Sequence, residues 1–143
     1  LKKFIPSNPT SNFVKNTSIL SGGLRIGKLF EHFDLVAGKV AYAHAQSWER
    51  GLGIVTAACY RIDLTGSLPS HSDLQLLASF NWVGRSSMEV GIRIFTKSEN
   101  DWKRLARVFF IMVFRRGGRA EEVNPLTPQT PEEQRRFKEG QER

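Results

Sequence analysis

The feature that most restricts this chain is a change of hydrophobic period near Gly53. Before it, Leu29, Phe30, Phe33, Val36, Ala37, Val40, Ala41 and His44 recur at steps of three and four, which places them on one face of a helix. Glycines 22, 23 and 27 crowd the start of that stretch, and Gly51 and Gly53 follow its end, so the pattern predicts one long helix over 26–46. After Gly53 the period falls to two, and β-branched and aromatic residues dominate 54–64, 74–83, 87–96 and 105–115, which are predicted as four strands. The connection 83–86 contains Gly84 and is short enough for a tight hairpin, making the second and third of these strands antiparallel neighbours; 65–73 is a longer loop.

One long helix followed by antiparallel strands is an α+β arrangement in which the helix covers one face of the sheet. Residues 108–114 are apolar at nearly every position, as in a central strand buried on both faces. With a single long helix, the second face needs another cover, and sheet-to-sheet dimerisation is a natural one. At 143 residues and 40% hydrophobic, the chain can bury one sizeable core and has no room for a second independent domain. The expected division is an irregular N-terminal segment over 1–20, a folded domain over 21–116, and a charged tail or linker over 117–143. Within that tail, Thr130, Pro131 and Glu133 supply a capping hydroxyl, a proline at the first helical position and a glutamate at the third, which predicts a short helix over 131–140.

The net charge of +7 favours an anionic partner without choosing among nucleotides, coenzyme A, RNA and acidic lipid. The longest strongly apolar run, 108–114, is far short of the roughly 20 residues of a membrane helix. Cys59 is the only cysteine, which excludes an internal disulfide and suits a reducing compartment. No acidic residue precedes Glu31, while Lys2, Lys3, Lys15, Arg25 and Lys28 do. That bias fits either the flank of a mitochondrial transit peptide or a domain start that lacks Asp and Glu; the expected location is mitochondrial, otherwise cytoplasmic.

Gly22, Gly23, Gly27 and Lys28 imitate a phosphate-binding loop, but Leu29 stands where a magnesium-holding Ser or Thr is needed, and no parallel α/β pattern surrounds them. A glycine-rich helix start can still present amide N–H groups to developing negative charge, or merely make the turn into the helix. Asp34 is the most informative side chain. It shares a helix side with Phe30, Ala37, Gly38 and Ala41, and these small neighbours leave room for a ligand. A carboxylate there is expected to be partly desolvated, which suits a general base; pairing with a lysine or a backbone group is the alternative. Glu31 reads as a solvated flank, and His44 as a cation closing the helix C-terminus. The histidines share no metal-ligand spacing with the cysteine, so no metal site is expected. No Gly-x-Ser-x-Gly elbow makes Ser86, Ser87 and His71 a triad, and Trp82 reads as sheet packing.

The run from Gly27 to His44, with its Asp, Ala-Gly step and terminal His, resembles the central helix of the hotdog-fold acyl-CoA thioesterases. The stretches IVTAACYRIDL and FNWVGRSSMEVGIRIF are similar to the strands that succeed that helix in the family, and the tail resembles the segment after the first of two hotdogs in the mitochondrial acyl-coenzyme A thioesterase 9 group. The resemblance implies a hotdog fold, in which an antiparallel sheet wraps one central helix, and hydrolysis of acyl-CoA to free acid and coenzyme A. It maps an acidic residue acting on the thioester onto Asp34 and an oxyanion-binding helix-start amide near Gly27. Coenzyme A, part of the substrate rather than a cofactor, is expected along the subunit interface near Arg85, Ser86 and Ser87. Two departures bear on activity. The family builds its site between two hotdogs and only one is present here, and the Asn that some relatives carry before the helix is replaced by Leu24-Arg25-Ile26. A second reading therefore stays open: a catalytically silent hotdog that serves as a structural or binding subunit, as in a ribonucleoprotein.

Overall fold

The computed structural model describes residues 13–18, 26–45, 51–66 and 73–143. The apolar stripe forms helix α1 (Ile26–Ala45), which buries Leu29, Phe33, Val36, Ala37, Val40, Ala41 and Ala45. Strand β1 (Phe13–Ser18) precedes it, and β2 (Leu52–Leu64), β3 (Asp73–Val83), β4 (Ser87–Ser98), β5 (Asp101–Arg116) and the two-residue β6 (Arg119–Ala120) follow. The strands form one antiparallel sheet in the order β1-β3-β4-β5-β2, with β6 paired to β5. The strand set predicted from the period-two pattern is present, each strand slightly longer than expected, and β3 and β4 are the antiparallel neighbours their short connection requires. Gly117 (φ +55°) and Gly118 (φ +82°) adopt the left-handed backbone that turns β5 into β6, where a Cβ would be strained.

Alternation assigns the two sheet faces. Leu74, Leu76, Ala78 and Phe80 of β3, Met88, Val90, Ile92 and Ile94 of β4, and Val108, Phe110, Met112 and Phe114 of β5 are buried in the core beneath α1. Strand β5 lies between β4 and β2, the central position expected of its apolar run. Residues 13–18, expected to be irregular, instead pair with β3 from Phe13↔Ala78 to Ser18↔Asp73. The strand lies at the end of the sheet, where it is defined by its backbone pairing with β3.

The segment after β6 also differs from a free tail. Val123 and Leu126 are buried with the core, and the Val123 amide donates to the Arg85 carbonyl at 2.8 Å. Helix α2 (Pro131–Glu142) forms where its signals predicted and runs two residues further; Thr130 and Glu133 close the full capping box. This helix packs against β3 on the face opposite α1, through Gly140 over Trp82. A Cβ at position 140 would stand 2.5 Å from Trp82 Cβ, so only glycine permits that approach. A β-bulge between Phe80 and Trp82 helps, because the extra residue sends both Asn81 and Trp82 toward α2. The outer face is therefore covered in part by this chain's own second helix, where sheet-to-sheet pairing was expected. What remains open is an edge. Val55, Tyr60, Ile62 and Leu64 of β2, with Leu35 of α1, are 41–61% exposed on the outermost strand.

Candidate active site

Asp34 projects from the middle of α1 toward that open edge. Thr56 Oγ1 of β2 donates to Asp34 Oδ1 at 2.5 Å and lies 3.5 Å from Met112 Sδ. The carboxylate is exposed in the single chain, so the partial desolvation expected of it is not supplied by its own hotdog. The small residues on its helix side divide into two roles. Ala37 and Ala41 are fully buried and let α1 lie close on the sheet, whereas Gly38, one turn beyond Asp34, has nothing within 4 Å of where a Cβ would be. The room beside the carboxylate is thus real, but Gly38 makes it, and it opens toward the free edge. A hydroxyl donating to a carboxylate fixes its rotamer and leaves the second oxygen for a water or an electrophile.

Gly27 lies in the first turn of α1, where backbone amides have no intrahelical partner. Gly22 and Gly23, the other members of the predicted helix-start cluster, lie outside the described residues, as do Gln46, Trp48 and His71. Seven residues separate Gly27 from Asp34, about 10 Å along a helix rising about 1.5 Å per residue. Arg85, Ser86 and Ser87 form the β3–β4 turn. Their carbonyls accept from the amides of Val123, Phe114 and Gly84 respectively, each at 2.8 Å, and no hydrogen bond joins them to Asp34 or Thr56 among the described residues. Glu31 is an exposed partner of Lys28 at 2.9 Å, as its flank position implied. His44 does more than end the helix: its Nε2 donates to the Asn124 carbonyl at 2.6 Å, and its ring lies 4.8 Å from Phe80, so it fastens the segment after β6 to α1.

A second polar cluster occupies the outer face. Glu89 is 2% exposed and accepts from Tyr60 Oη at 2.6 Å, Asn81 Nδ2 at 2.9 Å, and Arg143 at 2.5 and 3.1 Å. Burial works against its charge, but the bonds from Arg143, Tyr60 and Asn81 prevail and hold the carboxyl below its ordinary range. Burial, reinforced by the Glu89 hydrogen bond and charge, pushes the Tyr60 phenol up to about 12. Neither Thr56 nor Glu89 stood out in sequence. The available signals were a lone hydroxyl in the apolar run of β2 and a carboxylate between Met88 and Val90.

Several known proteins are similar to this chain. It is 31% identical over 129 residues, 84% of its length, to the mitochondrial acyl-coenzyme A thioesterase 4 of Humulus lupulus, and 31% identical over 82% of its length to the human mitochondrial acyl-coenzyme A thioesterase 9. The crystal structure of an apo-hexameric acyl-CoA thioesterase superposes with a TM-score of 0.79 at 25% identity, covering 92% of this chain and 86% of the other. This chain belongs to the hotdog-fold acyl-CoA thioesterases. An acyl-CoA hydrolase from Bacillus cereus shares the hotdog fold with a TM-score of 0.78, at 21% identity over 90% of this chain and 81% of that one. No protein-family model matches. The chain spans 24% of the hop thioesterase and 28% of the human one. These hotdog relatives are thioesterases, and none of their names speaks for RNA binding.

Proposed function

We propose that the chain hydrolyses acyl-CoA thioesters at a site completed by a second hotdog, with Asp34 as the acting carboxylate and Thr56 as the donor that orients it. The observation that carries this reading is the 2.5 Å Thr56–Asp34 bond at an open, apolar sheet edge, in a chain of thioesterase kinship. Either Asp34 takes a proton from a water that attacks the thioester carbonyl, the C–S bond breaks and the departing thiolate takes that proton, or the carboxylate attacks the carbonyl itself, expelling the thiolate and leaving a mixed anhydride that a water then opens, its proton passing to the thiolate.

Helix geometry supports an oxyanion donor supplied by the other hotdog. When Asp34 itself attacks, a carboxylate about 3 Å from the carbonyl carbon and a donor about 3 Å from its oxygen are closer together than the roughly 10 Å that separates Gly27 from Asp34 along one helix. The Gly27 amide therefore serves a carboxylate on a partner hotdog, and the partner's helix start serves Asp34. The same partner desolvates Asp34 and covers Val55, Ile62 and Leu64 on β2, an exposed edge of the kind that proteins pair or shield. An oligomer of at least two hotdogs results, as in the hexameric thioesterase of matching fold.

Coenzyme A enters as part of the substrate, and the hydrolytic step uses no separate cofactor. Arg85, Ser86 and Ser87 remain its proposed contacts, through the side chains of a turn whose carbonyls are already engaged. The location we assign is mitochondrial, supported by the names of the human thioesterase 9 and the hop thioesterase 4. The test is release of free thiol from a panel of acyl-CoAs by the wild type and by Asp34→Asn. The variant should fold normally and lose about a hundredfold or more in turnover; unchanged rates remove Asp34 from the mechanism.

A further inference from the structure

Between α2 and the outer face of the sheet lies a cavity of about 420 Å³, within the size range of small-molecule sites. Alternation places it on the face opposite α1, and neither Asp34 nor Thr56 lines it. Its walls are dominated by guanidinium groups. Arg61, Arg107 and Arg143 stand 5.4–5.7 Å from the centre of the Phe109 ring, and each is held by a carboxylate: Asp63 takes the first two and Glu89 the third.

Three others are poorly neutralised. Arg104 has no ion pair among the described residues. Arg93, half-buried, reaches Glu132 only at 3.8 Å. Arg136 holds the same Glu132 at 2.9 Å, and its buried Nε has no hydrogen-bond partner. Burial, then the charge of Arg136 and more weakly that of Arg104, pushes the Arg93 guanidinium below its ordinary value even though Glu132 opposes this. Of the three carboxylates that line the cavity, Glu132 and Glu139 are already engaged by α2 arginines, and the exposed Glu142 ends the helix. Two half-buried guanidinium groups and an exposed third with one shared counterion make a place where an added anion relieves repulsion and satisfies idle donors.

We propose that this cavity binds a small anion carrying two or more phosphates, held by Arg93, Arg104 and Arg136. Guanidinium forks match phosphate oxygens in pairs, and three of them around one cavity call for more acceptors than one carboxylate offers. A lone phosphate would leave most of the space unfilled. The chemistry fits a free nucleoside polyphosphate and the diphosphate of coenzyme A alike. Because the cavity and Asp34 lie on different sheet faces, an occupant leaves the acyl site of the same hotdog open. Anion binding here is independent of the thioesterase reading and is measured by binding alone.

The probe is inorganic triphosphate, titrated calorimetrically into the intact chain at low and high salt. One site per chain is expected, weaker at high salt, with orthophosphate binding at least about tenfold less tightly. Arg104→Gln, at an exposed position that should not disturb folding, should weaken triphosphate binding about tenfold or more, and Arg93→Gln likewise. Lys97→Gln, an equal loss of surface charge away from the cavity, should leave binding unchanged. Displacement of the probe by ATP alone identifies a free nucleotide as the source, and displacement by coenzyme A identifies the substrate's own diphosphate. No triphosphate binding, full binding by Arg104→Gln, equal affinity for orthophosphate, or displacement by neither ATP nor coenzyme A would overturn the proposal.

Discussion

Thr56→Val isolates the contact on which the catalytic reading turns. Valine keeps the β-branched shape and strand preference of threonine while removing the hydroxyl that donates to Asp34 at 2.5 Å. A hydrogen bond to a charged group is worth about 1.5–3 kcal/mol, and the carboxylate must be held in place when the thioester reacts. At about 1.4 kcal/mol per factor of ten, kcat/KM should fall roughly ten- to a hundredfold. Stability should change by less than about 0.5 kcal/mol, because Thr56 is exposed and its other contact, to Met112 Sδ at 3.5 Å, is weak. The assay is continuous trapping of the released thiol, in which Cys59, the chain's single thiol, contributes at most one equivalent and never turnover. Thr65→Val is a matched control, since Thr65 bonds the carbonyls of Arg104 and Leu105 and not Asp34. If Thr56→Val retains wild-type kcat/KM, or if Thr65→Val loses as much, the orienting role is wrong.

Helix α2 offers three further tests. Glu89→Ala strands Tyr60, Asn81 and Arg143 on the outer face and should cost about 3–5 kcal/mol, lowering Tm by about 10 °C; an unchanged melting curve would show that the network holds nothing. Because the folded-state pKa of Glu89 lies below its ordinary value of 4.5, the stability it contributes is fully present above that pH and is lost as pH falls through the folded value. Acid titration of Tm should therefore show a component in the wild type that Glu89→Ala lacks. Gly140→Ala drives a methyl group to 2.5 Å from Trp82 Cβ and should destabilise by about 1–3 kcal/mol, with a change in Trp82 fluorescence as α2 shifts.

Local pattern was enough for α1 and for strands β2–β5, because each carries its own period over ten or more residues. It failed for β1, where Lys15, Asn16, Thr17 and Ser18 read as loop and only pairing with β3 makes them a strand. It also failed for the docking of α2. Charge density marked 117–143 as a tail, while the contacts that hold the helix, Gly140 on Trp82 and Arg143 on Glu89, join residues more than fifty positions apart. The candidate site shows the same division. Asp34 was visible as a carboxylate among small residues on an apolar helix, but Thr56 lies 22 positions away, and β2 had to fold as the outermost strand before the hydroxyl met it. The arginines of the outer cavity are spread through β2, β4, β5 and α2, so no window of sequence displays them as one group.

The proposed site lies where two hotdogs meet along β2, so particle mass and turnover should be read from the same size-exclusion fractions by light scattering and thiol release. Turnover is predicted only in particles of at least twice the 16.2 kDa chain mass, and Ile62→Asp, which sets a charge on the open edge, should reduce both together. Full turnover in fractions of single-chain mass, or in an Ile62→Asp monomer, would contradict it.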